Sequence, residues 1–162
     1  MSKTDAEIKA TIESHIREYG WHCLSVAPSE GEREFTPFTY SIGFAHSYQA
    51  PEVLVFGLGS KKAHAVLSEC AAVLAAGGQL HADVEDDRIL AKNYKVMFRP
   101  LLQAAYDHYL GTALRYYGRT QFDAFVMFLP DRDHRFPWEQ GYCGAIATEA
   151  LAATCPPESR RT

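Results

Sequence analysis

The hydrophobic residues of the N-terminal segment recur every three or four positions, which is the spacing of an amphipathic helix. They are Ile8, Ile12, Ile16 and Tyr19. Thr4 stands three residues before Glu7, and this pair is typical of a capping box at a helix start. Gly20 follows the last hydrophobic position and is suited to end the helix. The pattern therefore predicts a first helix that begins after Thr4 and ends at Gly20.

A second stretch alternates large and small side chains with a period of two, as expected of a strand. The large residues are Phe38, Tyr40, Ile42 and Phe44, and the small residues are Thr39, Ser41 and Gly43. The alternation predicts a strand over residues 38–44, with one face of large side chains and one of small. We expect a loop over residues 45–52.

Hydrophobic patterning in the rest of the chain predicts further strands at residues 21–27, 53–58, 93–99 and 122–129. The strands at residues 53–58 and 122–129 are apolar on both faces, so we expect them in the centre of the sheet. Ser60 is predicted to cap a second helix. One or two further helices are predicted over residues 101–118, with a potential break at Gly111. A short helix is expected after Gly144.

This order of elements predicts an α+β protein. We expect a mainly antiparallel sheet of about five strands, packed with roughly two to four helices. The apolar strands could instead curl into a small or split barrel. Because no linker or repeat divides the chain, we expect one domain over residues 1–155 and a flexible tail over residues 156–162.

Composition changes this picture mainly by excluding classes of partner. The chain has 162 residues and a net charge of −4, with no stripe of basic and aromatic residues, so we expect no nucleic-acid binding. No apolar run has the length of a membrane span, and the first residues lack a secretory signal. Four cysteines without metal-ligand spacing are then read as reduced thiols of a cytoplasmic protein.

The segment LPDRDHRFPWEQGY, residues 129–142, is the first candidate site. A carboxylate beside a histidine can orient the imidazole for acid–base catalysis, so Asp131 and His134 are the candidate catalytic pair. Trp138 could form the rim of a ligand pocket. The alternative is a salt-bridged turn in which Pro137 and Trp138 close one end of the core. A calcium-binding loop requires a glycine and a final glutamate where this segment has Phe136 and Tyr142, so we expect no metal.

The second candidate is FGLGSKKAH, residues 56–64, where a predicted strand leads into a predicted helix. Free amides at the helix start, with Ser60 and Lys61, could bind an anion. The alternative is a tight turn with solvated lysines.

The third candidate is the small face of the strand at residues 38–44. Thr39, Ser41 and the nearby His46 could form a pocket wall, because small side chains let a ligand approach closely. The alternative is that a helix packs on this face.

Three pieces of sequence, FTYSIGF, PEVLVFGL and PDRDHRFPWE, resemble in order and spacing a bacterial family catalogued as domain of unknown function 4262. The resemblance runs from Gly20 to Glu139 and implies no activity. A second likeness covers only residues 38–58, which are similar to the opening of flavin-reductase-like split barrels. That likeness implies a flavin whose phosphate is held by small residues and backbone amides.

Two functions of different classes remain open. The first is binding of a small anionic ligand, flavin-like or nucleotide-like, by a domain that could be an enzyme. The second is a protein-interaction module, such as an immunity or adaptor protein, whose partner surface comprises residues 28–36, 83–88 and 131–139. An apolar strand edge or helix face could also form a homodimer.

Overall fold

The computed structural model describes residues 4–27, 36–118, 120–144 and 148–156. The helices are α1 (Asp5–Tyr19), α2 (Phe44–Tyr48), α3 (Ser60–Ala75), α4 (Tyr106–Tyr109), α5 (Gly111–Tyr117) and α6 (Thr148–Ala152), with a 3-10 turn at Gln103–Ala105. The strands are β1 (His22–Val26), β2 (Phe38–Ile42), β3 (Glu52–Phe56), β4 (Met97–Pro100) and β5 (Ala124–Phe128). Within the described ranges, no helix is long and apolar enough to cross a membrane.

The five strands form one sheet in the order β1-β2-β3-β5-β4. β3 and β5 pair in parallel, whereas the other three pairs are antiparallel. The predicted α+β class with a mainly antiparallel sheet is therefore confirmed. The two apolar segments do form the central strands, and their carboxyl ends lie at the same edge of the sheet.

The sheet is open, so the expectation of a barrel or split barrel is wrong. Closure would require β1 to pair with β4, but each of these edge strands has other neighbours. α1 and α3 both contact β1. Along the outer side of β4, Ala82 and Asp86 form single bridges to Phe98 and Val96.

Two hydrophobic cores lie on opposite faces of the sheet. One contains Ile12 and Ile16 of α1 together with residues of α4, α5 and the segment after β5. The other is formed mainly between α3 and the sheet, and it includes Leu67 and Cys70. The central strand β3 serves both cores, because Leu54 belongs to the first and Val55 to the second.

Most helix boundaries follow from the local sequence. The first helix begins as predicted, since the Thr4 side chain accepts a hydrogen bond from the Glu7 amide. It ends at Gly20, whose φ of 89° suits glycine. The predicted break at Gly111 also exists between α4 and α5.

Several boundaries differ from those that the sequence predicts. The strand predicted over residues 38–44 ends at Ile42, and α2 occupies part of the predicted loop 45–52. The strand predicted over residues 93–99 begins only at Met97. Ser60 is the first residue of α3 rather than its cap, because the N-cap is Gly59. The predicted tail beyond residue 156 and most of the predicted loop 28–36 lie outside the described residues.

The acidic loop at residues 83–88 is less of a free surface than its composition suggests. Asp86 is buried, and its carboxylate pairs with the Arg88 guanidinium at 2.6 Å. The side-chain hydrogen bond from Arg88 is the main reason that the pKa of Asp86 is lowered. The Asp86 carboxylate is therefore engaged in an ion pair within this chain and is not free to bind a partner.

Candidate functional site

A cavity of about 400 Å³ lies where the two parallel central strands end. Gly57 and Leu58 follow β3, Leu129 and Pro130 follow β5, and all four line the cavity. The other lining residues are Thr36, Phe56, Met127, Phe128, Pro137, Tyr142, Gly144 and Ala150. Ligands in sheet proteins commonly bind beyond the carboxyl ends of parallel strands, so this is the candidate ligand site.

Most of the cavity wall is apolar, and a few polar groups lie at its border. The hydroxyl groups come from Thr36 and Tyr142. Burial raises the pKa of Tyr142, with a smaller contribution from the negative charge of Asp131. The tyrosine therefore remains a neutral phenol that can donate or accept a hydrogen bond at neutral pH.

Asp131 organises the segment that forms one side of the cavity. One carboxylate oxygen accepts hydrogen bonds from the amides of Asp133 and Arg135, each at 2.9 Å. The other oxygen accepts from the amide of Cys143 at 2.9 Å and from its thiol at 3.4 Å. This one side chain therefore joins the turn at residues 131–135 to residue 143.

The hydrogen bonds to Asp131 also determine its protonation. Burial alone would raise the pKa of Asp131, but the backbone amides of Cys143 and Arg135, the Cys143 thiol and the Asp133 amide outweigh burial. Together they lower the pKa of Asp131 to about 2. The group is a fixed anion that accepts hydrogen bonds from its own loop.

His134 does not pair with the Asp131 carboxylate. Its backbone amide donates to the Asp131 carbonyl at 3.1 Å, while its ring stacks on Tyr94 with centroids 4.3 Å apart. His134 has a φ of 65°, in the left-handed region, so the backbone is not extended at this residue. The structure therefore places the two predicted catalytic residues in one turn without bringing their functional groups together.

Trp138 closes one end of the hydrophobic core. Its ring stacks on Phe136 and lies edge-on to Phe128, with centroids 5.2 Å apart in both pairs. The guanidinium of Arg99, itself only 8% exposed, lies 3.7 Å from the centre of the Trp138 ring. Such a cation–π contact away from water is stabilising. This packing is the arrangement expected of the structural alternative for residues 137–138.

The start of α3 follows directly from the cavity-lining residues Gly57 and Leu58. Its N-cap, Gly59, has no side chain to occupy the free amides of the first turn, and this turn has no acidic residue. Ser60 and Lys61 are exposed there. The turn between β3 and α3 and the segment after β5 thus flank the same cavity, although they are about seventy residues apart in sequence.

Thr39, Ser41 and His46 do not line this cavity. Thr39 pairs in register with Val55, a residue of the core beneath α3, and α3 contacts β2. Thr39 and Ser41 are both buried, whereas His46 is exposed on α2. This is the arrangement expected of the alternative in which a helix packs on the small face of the strand.

Glu52 is an important buried residue that the sequence patterns did not identify. It is 1% exposed at the start of β3. Its carboxylate accepts hydrogen bonds from the Ser41 hydroxyl at 2.7 Å and from the Tyr117 hydroxyl. It also accepts from three successive amides, of residues 43, 44 and 45, each at 3.1 Å.

Glu52 therefore caps α2 from a neighbouring strand. Burial raises the pKa of Glu52, and the hydroxyl groups of Tyr117 and Ser41 and the amides oppose that rise. Burial and the neighbouring Glu52 carboxyl group also raise the pKa of Tyr117. The only sequence signal for this network is a charged residue, Glu52, next to the apolar run VLVF.

Among the described residues, Asp131, Asp133 and Cys143 are the one group of three or more metal-ligand side chains that converges. Their nearest oxygen and sulfur atoms lie within 4.8 Å of one another. Both oxygens of Asp131 already accept hydrogen bonds from the loop. The cluster is accounted for by loop structure, and we assign no metal to it.

The family model described as "Domain of unknown function (DUF4262)" matches residues 15–143. The chain belongs to the DUF4262 family. This confirms the resemblance drawn from the three sequence pieces. No curated protein and no solved structure matches the chain.

The DUF4262 region includes both flanks of the cavity. It contains the β3–α3 turn and the whole loop that Asp131 holds, up to Cys143. Because the family description gives no activity, function is argued from the geometry of this site.

Proposed function

We propose that this DUF4262 protein binds a small molecule with a flat apolar body and an anionic end. The observation that carries the proposal is the cavity at the carboxyl ends of β3 and β5. Its volume, about 400 Å³, falls within the range of small-molecule sites. A flavin- or nucleotide-like compound has the required combination of a planar ring and a phosphate.

The apolar walls of the cavity favour a ligand with an apolar body. Aromatic and aliphatic side chains, such as Phe56, Met127 and Phe128, would contact a planar ring over a large area. Tyr142 and Thr36 are the polar side chains that could orient the ring by hydrogen bonds.

The start of α3 favours a ligand with an anionic end. The amides after Gly59 carry the positive end of the helix dipole, and Lys61 adds a full positive charge. Gly57 and Leu58 connect the cavity to this turn, so a ligand could place its ring beyond the carboxyl ends of the two strands and its anion beside Lys61.

Flavin mononucleotide and riboflavin provide a direct test, because they share a ring and differ in the phosphate. We expect fluorescence titration to show saturable binding of both, with the phosphorylated compound binding more tightly. Lys61→Ala is expected to lower the affinity for flavin mononucleotide by about tenfold and to leave the affinity for riboflavin unchanged, since only the phosphate interacts with the lysine.

A second variant tests the position of the ring. Leu58→Trp fills the cavity, and we expect it to abolish binding of both compounds. Val84→Trp is the matched control, because Val84 is 56% exposed and does not line the cavity. If neither compound binds the wild-type protein, or if Leu58→Trp binds both normally, the proposal is wrong.

The interaction-module hypothesis stays a prediction, and it makes the opposite demand on the same variants. A partner captured through the charged turn would be lost after Asp133→Arg and Arg132→Glu, which change exposed residues. It would be retained by Leu58→Trp.

A further inference from the structure

A second cleft, with a volume of about 620 Å³, lies at the edge of the sheet beside β1. Three of its lining residues are histidines: His15 from α1, His22 from β1 and His64 from α3. Trp21 and Cys23 contribute to the same walls. This cleft is distinct from the cavity after β3 and β5, since the two share no lining residue.

The turn after α1 brings two of these histidines together. Gly20 ends the helix in a left-handed conformation, and the chain reverses within two residues to begin β1 at His22. The Nδ1 atoms of His15 and His22 lie 2.7 Å apart. Their rings are nearly parallel, with an angle of 25° and centroids 4.9 Å apart.

In a metal-free protein, this contact requires one ring to donate through Nδ1–H and the other to accept. Two Nδ1 atoms this close together can also act as a chelating pair once neither of them carries the shared proton. Nitrogen atoms bound to the same zinc ion at the tetrahedral angle lie about 3.3–3.4 Å apart, because each Zn–N bond is about 2.0–2.1 Å. A small separation of the two rings would therefore admit an ion between them.

We propose that His15 and His22 form a binding site for a divalent transition-metal ion such as Zn²⁺ at the edge of the sheet. Imidazole nitrogen is a preferred ligand for zinc, copper and nickel. His64 lines the same cleft, where its ring stacks on Trp21 with centroids 5.5 Å apart. Its nitrogen atoms do not lie within 4.8 Å of those of both His15 and His22, so the site has two protein ligands in this conformation. Water can complete a tetrahedral set.

Cys23 is not assigned as a ligand, although it lines the cleft. Its sulfur atom does not lie within 4.8 Å of ligand nitrogen atoms of both His15 and His22. The expected site is therefore built from imidazoles, and this distinguishes it from the oxygen-rich cluster at Asp131, Asp133 and Cys143.

Isothermal titration of the full chain with zinc chloride tests the proposal, using protein that carries no histidine tag. We expect one ion per chain and a loss of affinity of about tenfold or more in His15→Ala and in His22→Ala. His64→Ala is expected to weaken binding less. His81→Ala is the matched control, because His81 is exposed and does not line the cleft.

A spectroscopic measurement on the wild-type protein keeps the test valid if a histidine variant fails to fold. With one equivalent of Cu²⁺, electron paramagnetic resonance should show coupling to at least two nitrogen atoms. The proposal is overturned if zinc does not bind, if the His15 and His22 variants bind zinc normally, or if copper shows only oxygen ligands. It is also overturned if Asp133→Ala, and neither histidine variant, removes the zinc.

Discussion

Two buried carboxylates, Asp131 and Glu52, each accept hydrogen bonds from several backbone amides, Asp131 from its own loop and Glu52 from the start of α2. Their surroundings differ in one respect that experiments can detect. The amides around Asp131 hold its pKa well below the ordinary value, whereas complete burial raises the pKa of Glu52. The two residues should therefore respond differently to substitution and to pH.

For Asp131 the prediction concerns pH. Its folded-state pKa is about 2 and lies below its value in the unfolded chain. The ionised carboxylate therefore stabilises the fold at neutral pH, and this contribution is lost as the pH falls from about 4 toward 2. Asp131→Asn should be less stable than wild type at pH 7, and the gap between their free energies of unfolding should narrow over that range.

Denaturant unfolding of both proteins at a series of pH values measures this gap. Asp123→Asn is a suitable control, because Asp123 is exposed and its substitution should change stability by no more than about 0.5 kcal/mol. A gap that stays constant down to pH 2.5 would mean that the Asp131 carboxylate is not held as an anion by its loop.

For Glu52 the prediction concerns hydrogen-bond polarity. Glu52→Gln replaces one acceptor oxygen with an amide group that donates, and either oxygen position faces at least two donors. We expect the free energy of unfolding to fall by about 2–4 kcal/mol, because buried donors are left unpaired. Glu69→Gln, an exposed site on α3, should be nearly neutral. Equal stability of the two variants in thermal or denaturant unfolding would refute the capping role.

At this scale the sequence pointed to Asp131, but as one of a catalytic pair with His134 and not as the residue that holds its loop, and it gave no prediction for Glu52. Asp131 stands in a conspicuous charged segment, although the pairing with Cys143, 12 residues later, has no local pattern. Glu52 depends on Tyr117, 65 residues away, and on amides of a helix that the sequence did not predict. Hydrogen bonds of such range become visible only when the chain is folded.

At the scale of elements, α2 shows where hydrophobic periodicity stops being informative. The helix has only five residues, too few to repeat a helical pattern, and its first residue completes the alternation of β2. The change of direction occurs at Gly43, whose φ is 125°. Phe44 consequently packs in the core beneath α3, whereas Ile42 packs in the other core.

Gly43 should therefore tolerate no side chain. A Cβ atom there would lie 2.8 Å from the Trp21 Cα and 2.9 Å from the Gly20 carbonyl oxygen, and the backbone conformation itself disfavours other residues. We expect Gly43→Ala to lower the free energy of unfolding by about 2–4 kcal/mol.

Gly59→Ala is the matched control for this substitution, because no atom lies within 4 Å of the added Cβ and its φ is ordinary. Its cost should stay within about 1 kcal/mol. Denaturant unfolding of the two variants distinguishes them, and a Gly43 variant as stable as the Gly59 variant would contradict the close packing between α1, β1 and α2.

At the scale of the whole molecule, the position of β5 creates the candidate ligand site. Patterning indicated that β3 and β5 are central, but it could not show that they are adjacent and parallel. That pairing brings Gly57 and Leu58 beside Leu129 and Pro130, from distant parts of the chain. The barrel alternative also arose from patterning, which does not reveal that residues 82–86 occupy the outer side of β4.

The central claim is that a ligand occupies this cavity, and native mass spectrometry of the protein as purified tests it most directly. The wild-type protein, alone or after addition of flavin mononucleotide, should carry an extra mass that disappears on denaturation. Leu58→Trp should show only the mass of the chain under the same conditions. A wild-type protein that stays bare with added flavin mononucleotide, or a Leu58→Trp variant that keeps the extra mass, would contradict the account.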